Sequence, residues 1–205
     1  MTRIITRYLL AILVTLSASL PLYAAAETLT LDETHSYVLW RIKHLGFSNQ
    51  SGKWYVKGQA ILDKEQPQNS KVMATIDVTN FVTGIPELDK HLGGKMFFDV
   101  AQYPTATFAS DKVELTSKTT AKVHGNLTLR GITKPVTLLV TLNKIGKNPV
   151  NDRMTAGFSA TTELKRSDFG MNALLPDLGD EVAIEIGAEV YLPDSISENH
   201  ATKEQ

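Results

Sequence analysis

The chain has 205 residues, with 21 Lys and Arg against 22 Asp and Glu, 42% hydrophobic residues and no cysteine. Balanced charge without basic runs argues against nucleic acid as a partner, because its binders gather Lys and Arg into a patch. The lack of Cys excludes thiolate catalysis, disulfides and lipid attachment through an N-terminal Cys, while the length suffices for one domain with a self-supporting core.

The start reads as a secretory leader: Arg3 and Arg7, an apolar stretch over 8–22, then Ala24-Ala25-Ala26 as a small-residue cleavage site before Glu27. At about 15 residues the stretch is shorter than the roughly 20 that a spanning helix needs. Residues 1–26 are therefore expected to be a signal peptide, and the protein to be periplasmic and not membrane-spanning. Their removal takes away two positive charges and leaves the mature domain mildly acidic.

Short runs of alternating apolar and polar residues follow, the pattern of strands with one sheltered face. The first is expected at 28–32 and the second at 36–44, where Val38, Trp40 and Ile42 share a face. After a turn around 46–52, Trp54, Val56, Ala60 and Leu62 mark a strand over 54–62. Pro67, Gln68 and Asn69 mark a turn before 72–78, with Val72, Ala74, Ile76 and Val78 on one face. Alternation then stops over 84–104. There Pro86 to Leu92 predict a short helix, with Pro86 suited to its first turn and Gly93-Gly94 to its end.

Further strands are expected at 105–115, as one run or two, and at 122–130, 135–142, 153–163 and 181–192. In the last, Val182, Ile184, Ile186 and Val190 oppose Glu185, Glu189 and Tyr191. Between the last two runs, 165–180 is irregular and carries Phe169, Met171, Leu174, Leu175 and Leu178. Eight or nine antiparallel strands at this spacing predict an all-β barrel or sandwich spanning 27–193 as one domain. Short helical loop segments are expected near 86–98 and 167–178, and the polar tail 194–205 is expected to be disordered. Both irregular segments are unusually apolar for loops, so Met96, Phe97, Phe98, Phe169, Met171 and Leu174 are expected to fold over something.

Candidate chemistry is sparse. No Gly-x-Ser-x-Gly, phosphate-cradling glycine loop or His-Glu-x-x-His occurs. His35, His44, His91 and His124 lack zinc-type spacing, and His35 and His44, nine apart, would face opposite sides of one unbroken strand. His124 belongs with Lys122, Asn126 and Thr128 on a polar face. Asp32, Asp89, Asp99, Asp168 and Asp180 sit near strand ends or in irregular segments, where carboxylates cap backbone N–H groups. Small residues are interleaved among the large apolar ones (Gly58, Ala60, Ala74, Gly125, Ala156, Gly157, Ala160, Ala188), and those on the inner face would leave space inside a closed barrel. An eight-stranded barrel is either filled by side chains or holds one ligand, and strand number does not choose.

Four stretches resemble a known family, the YceI-like proteins. They are Asp32-Glu33-Thr34-His35-Ser36 running into His44-Leu45-Gly46; Leu88-Asp89-Lys90-His91-Leu92 with Phe97-Phe98-Asp99-Val100 and Tyr103-Pro104-Thr105; Gly125-Asn126-Leu127-Thr128 through Thr133-Lys134-Pro135-Val136; and Lys165 to Asn172 with Gly179-Asp180-Glu181-Val182. Arg130 stands where the family often has His, Trp54 where Phe is usual, and Gly93-Gly94-Lys95-Met96 varies a more polar stretch. The resemblance implies a lipocalin-like periplasmic β-barrel of about eight strands that binds a long isoprenoid, polyprenyl or quinone-type, or a related lipid, without catalysis or cofactor. Val38, Trp40, Ile42, Phe108, Leu127, Leu129, Phe158, Ile184 and Ile186 are then expected to line the interior, with Phe97, Phe98, Phe169 and Met171 closing or contacting the entrance. His35, His44, Lys90, His91, Lys165 and Arg166 are candidate head-group contacts. A hydrolase or metal site around His91 and Asp99, and a filled barrel that recognises a protein, are the rival readings. A homodimer is compatible with the sequence.

Overall fold

A computed structural model describes residues 27–63 and 66–193; the expectations for 1–26 and 194–205 lie outside the described residues. Alternating side chains leave opposite faces of a strand, so a chain with apolar residues at every second position hides one face of a sheet. Nine strands do so: β1 (Glu27–Thr30), β2 (Tyr37–His44), β3 (Ser48–Leu62), β4 (Lys71–Asp77), β5 (Thr105–Leu115), β6 (Thr120–Leu129), β7 (Ile132–Lys147), β8 (Met154–Lys165) and β9 (Leu178–Tyr191). One helix, α1 (Pro86–Leu92), stands where the Pro and Gly signals predict it.

All neighbouring strands are antiparallel, and β2 to β9 pair in chain order. β9 returns to β2, with Trp40 opposite Ile184 and Val38 opposite Ile186, and closes an eight-stranded up-and-down barrel. β1 pairs with the 59–62 part of β3 while β2 pairs with its 48–55 part. β1 and β2 thus lie end to end between β3 and β9, a single strand position broken at 31–36.

The strand expectations hold, with shifted ends; β9, for example, begins at Leu178, inside the stretch expected to be irregular. β3 begins at Ser48, so the turn covers only 45–47; the polar run Ser48-Asn49-Gln50-Ser51 belongs to the strand through its pairing with β2. β7 extends over 132–147. β5 is one strand whose alternation shifts at a bulge between Ser110 and Lys112. The bulge adds one residue and so exchanges the faces: Phe108 and Ser110 point inward before it, Val113 and Leu115 after it. A second bulge between Leu142 and Lys144 does the same for Leu142 and Ile145 in β7.

The strand ends define two barrel poles. One carries the 45–47 turn, the 78–104 segment with α1, the Arg130-Gly131 turn and the 166–177 segment. The other carries the 63–70 connection and the 116–119 and 148–153 turns. Arg130 and Gly131 both have positive φ (52° and 72°) and join β6 to β7 as the two-residue turn whose twist matches a hairpin.

Candidate functional site

The barrel is hollow. A cavity of about 630 Å³ runs between the poles and is lined by apolar side chains from all eight barrel strands. Val38, Ile42, Ile76, Leu127, Phe158 and Ile186 point inward yet are only half-buried, because the lumen leaves their surface uncovered. All thirteen residues expected at a binding site line this cavity: Val38, Trp40, Ile42, Phe97, Phe98, Phe108, Leu127, Leu129, Phe158, Phe169, Met171, Ile184 and Ile186. Ala60, Ala74, Ala160 and Ala188 line it too. Gly58, Gly125 and Gly157 are not among the lining residues. A Cβ on Gly125 would stand 2.6 Å from the Phe108 ring, so that ring occupies the space, and Gly58 lets the Met73 carbonyl approach. Gly157 has an open position with no neighbour within 4 Å, and its register partners Lys144 and Glu189 do not line the cavity.

Both apolar irregular segments fold over one pole. There Leu92, Phe97, Phe169 and Met171 are buried, and an aromatic cluster fills the space beneath: Trp54 lies 5.2 Å from Phe98, 5.5 Å from Phe81 and 6.1 Å from Trp40, centroid to centroid. Trp40 in turn lies over Gly52, where a Cβ would be 2.7 Å from the indole. Phe97, Phe169 and Met171 are thus buried in the cover of this pole.

Two arginines hold the cover. Arg166 is 4% exposed and donates to the carbonyls of Gly179 (2.7 Å), Met171 (2.7 Å) and Leu178 (3.0 Å). Burial pulls its pKa down, and the charge of Asp180 opposes that. Arg130 donates to the carbonyls of Lys95 and Gly170, each at 2.9 Å, and so ties the β6–β7 turn to both covering segments. Neither role has a local sequence signal, since each depends on carbonyls that only the fold brings near.

The remaining polar candidates disperse. His44, His91 and Arg166 line the cavity at the covered pole, with the His91 ring 5.1 Å from Phe97. His35, Lys90 and Lys165 do not line it. His124 hydrogen-bonds Thr137 at 2.9 Å, on the face turned away from the cavity. Asp180 caps Ser167, accepting from its N–H (2.9 Å) and hydroxyl (2.8 Å), and Asp89 accepts from the Thr83 hydroxyl (2.6 Å). Among the described residues, one group of three brings metal-ligating atoms within 4.8 Å of one another: Asp32, His35 and Glu189, which includes neither His91 nor Asp99.

That group sits at the break between β1 and β2 and performs structural work. Asp32, 8% exposed, accepts from the Thr34 N–H and hydroxyl, from the Tyr191 hydroxyl and from His35 Nδ1. Burial would raise its pKa, but the bonds from Thr34, Tyr191 and His35 outweigh it and hold the carboxyl well below the usual range. The hydrogen bond and charge of Asp32 raise the His35 pKa. The Arg153 guanidinium lies 3.5 Å over the Tyr191 ring.

An eight-stranded meander closed on itself, apolar and empty along its axis and covered at one pole, is the architecture of a hollow β-barrel with an internal site. The chain belongs to the YceI-like family: the family model, described as a YceI-like domain, matches residues 29–190. A UPF0312 protein of Pseudomonas putida (strain W619) is 39% identical over 149 residues, covering 72% of this chain and 77% of the relative. Among solved structures, BcnA of Burkholderia cenocepacia superposes with a TM-score of 0.70 at 26% identity, covering 78% of this chain and 98% of that one. A polyisoprenoid binding domain from Saccharophagus degradans shares the fold, with a TM-score of 0.62 at 14% identity over 80% of this chain and 98% of its own.

Proposed function

We propose that this protein binds a long-chain isoprenoid, polyprenyl or quinone-type, or a related amphiphilic lipid in its barrel, without catalysis, and carries or stores it in the periplasm. The observation that supports this is the continuous apolar cavity of about 630 Å³, well within the range of small-molecule sites. If each carbon group takes roughly the 30 Å³ of a liquid water, the space holds about 20 of them. At about 0.8 kcal/mol per buried methylene, such a chain has roughly 16 kcal/mol of gross transfer free energy to set against ordering costs. Binding strength then needs few polar contacts. The Saccharophagus domain, described as polyisoprenoid-binding, has the same barrel, and the secretory-type leader supports a periplasmic site of action.

The test is organic extraction and mass spectrometry of protein purified from its own cell envelope. One lipid class near one molecule per chain is the expected result. Protein that is folded and free of lipid in that preparation would refute the proposal.

A further inference from the structure

The covered pole leaves a group of large apolar side chains in water. Leu45 and Phe47 in the 45–47 turn, Met96 and Leu174 in the two covering segments, and Ile132 after the Arg130-Gly131 turn are all exposed, Phe47 by 90%. The backbone brings their segments together at one end of the barrel. His44 pairs with Leu178, the Leu178 N–H donates to the Leu174 carbonyl at 2.8 Å, and Arg130 joins the segment of Met96 to that of Leu174. Met96 and Leu174, expected to fold over something, are thus half-exposed on the outside of the cover. A single exposed apolar residue needs no explanation, whereas several from separate segments at one end mark a contact surface.

The two poles differ in what surrounds such residues. The opposite pole exposes Leu115 and Val150, but the end of the cavity there is lined by Ser70, Lys71, Ser117, Lys118 and Thr119. At the covered pole Leu174 also lines the cavity, so the apolar surface outside joins the apolar wall inside. Beside the 45–47 turn a surface groove sets Lys43 and Lys165 next to Glu163 and Glu181. None of these four has an ion-pair partner among the described residues. The groove therefore offers both signs of charge, the complement of a head group that carries a phosphate and an ammonium.

From this we propose that the covered pole docks on the surface of a zwitterionic phospholipid bilayer, with Phe47 and its apolar neighbours entering the head-group and acyl boundary and the lysine–glutamate groove meeting the head groups. The choice of a lipid surface as the occupant rests on the lipid-binding reading of the cavity. Attachment is then driven by apolar area and is insensitive to salt, because balanced charges give no net attraction for salt to screen.

The test is flotation of protein purified from the cell envelope with neutral vesicles of phosphatidylcholine and phosphatidylethanolamine. The expected result is that the protein floats, that its partition coefficient falls by less than about twofold between about 0.15 M and about 1 M salt, and that Phe47→Ser lowers it about tenfold. The chain has no cysteine, so Phe47→Cys and Val150→Cys each place a polarity-sensitive fluorophore at one site, on opposite poles and equally exposed at 90% and 91%. Vesicles should shift the emission of the label at 47 to the blue and leave the label at 150 unchanged. A shift at 150 alone, binding only to anionic vesicles and lost in salt, or a solution dimer that Phe47→Ser dissociates would each overturn the proposal. Protein that holds a fluorescent fatty acid yet stays off the vesicles would overturn the docking alone. Protein that does neither would overturn the cavity reading along with it.

Discussion

Ala160→Phe puts the hollow interior to a direct test. Ala160 lies midway along β8, pairs with Val140 and Ile186, is 7% exposed and faces the lumen. Phenylalanine adds six carbons, or about 180 Å³ at roughly 30 Å³ each, a little under a third of the 630 Å³ cavity. A bound chain then loses room for about six methylenes, which corresponds to about 5 kcal/mol of gross transfer free energy. Part of that is recovered as the guest slides along the barrel, so the expected loss of affinity for a 20-carbon chain is about ten- to a hundredfold. Because the new ring enters empty apolar space, the melting temperature should hold or rise. Lipid displacement and thermal unfolding read the two effects separately. A packed interior would behave in the opposite way, losing about 1–3 kcal/mol to crowding. That destabilisation, or parental affinity in a folded variant, would refute the reasoning.

Other variants probe the scaffold. Arg166→Met strips three buried carbonyls of their donor and should cost about 3 kcal/mol or more in urea unfolding; a loss below about 1 kcal/mol would contradict the role assigned to it. Asp32 has a lowered carboxyl pKa, so its contribution to stability is present above about pH 3.9 and is lost as the pH falls toward its folded value. Asp32→Asn should lower the melting temperature at pH 7 and flatten its decline below pH 4. His35, whose pKa is raised by Asp32, stabilises below about pH 6.5 and loses that as the pH rises through its folded value. In Asp32→Asn the His35 NMR titration should move down in pH, and an unmoved titration would break the assigned pairing.

Much of this barrel could be read along the chain because its strands obey a period of two and its helix is bracketed by Pro86 and Gly93. The wall of the cavity was legible for the same reason: a residue on the inward face of a closed eight-stranded barrel faces the lumen. That the lumen is empty was not, since side-chain volumes across the barrel decide it. Ser48 to Ser51 could not announce a strand, because they lack apolar alternation and owe their conformation to β2. The break at Asp32 is closed by Tyr191, 159 residues away, a pairing that no local pattern encodes.

The attachment of the cover has a mechanical consequence. Lys95 and Gly170 lie 35 and 40 residues from Arg130, in separate segments, yet both hang from its one guanidinium. A residue that does not line the cavity thus joins the two halves of its cover to a single hairpin turn, and a change at position 130 loosens both halves while leaving the apolar wall as it is.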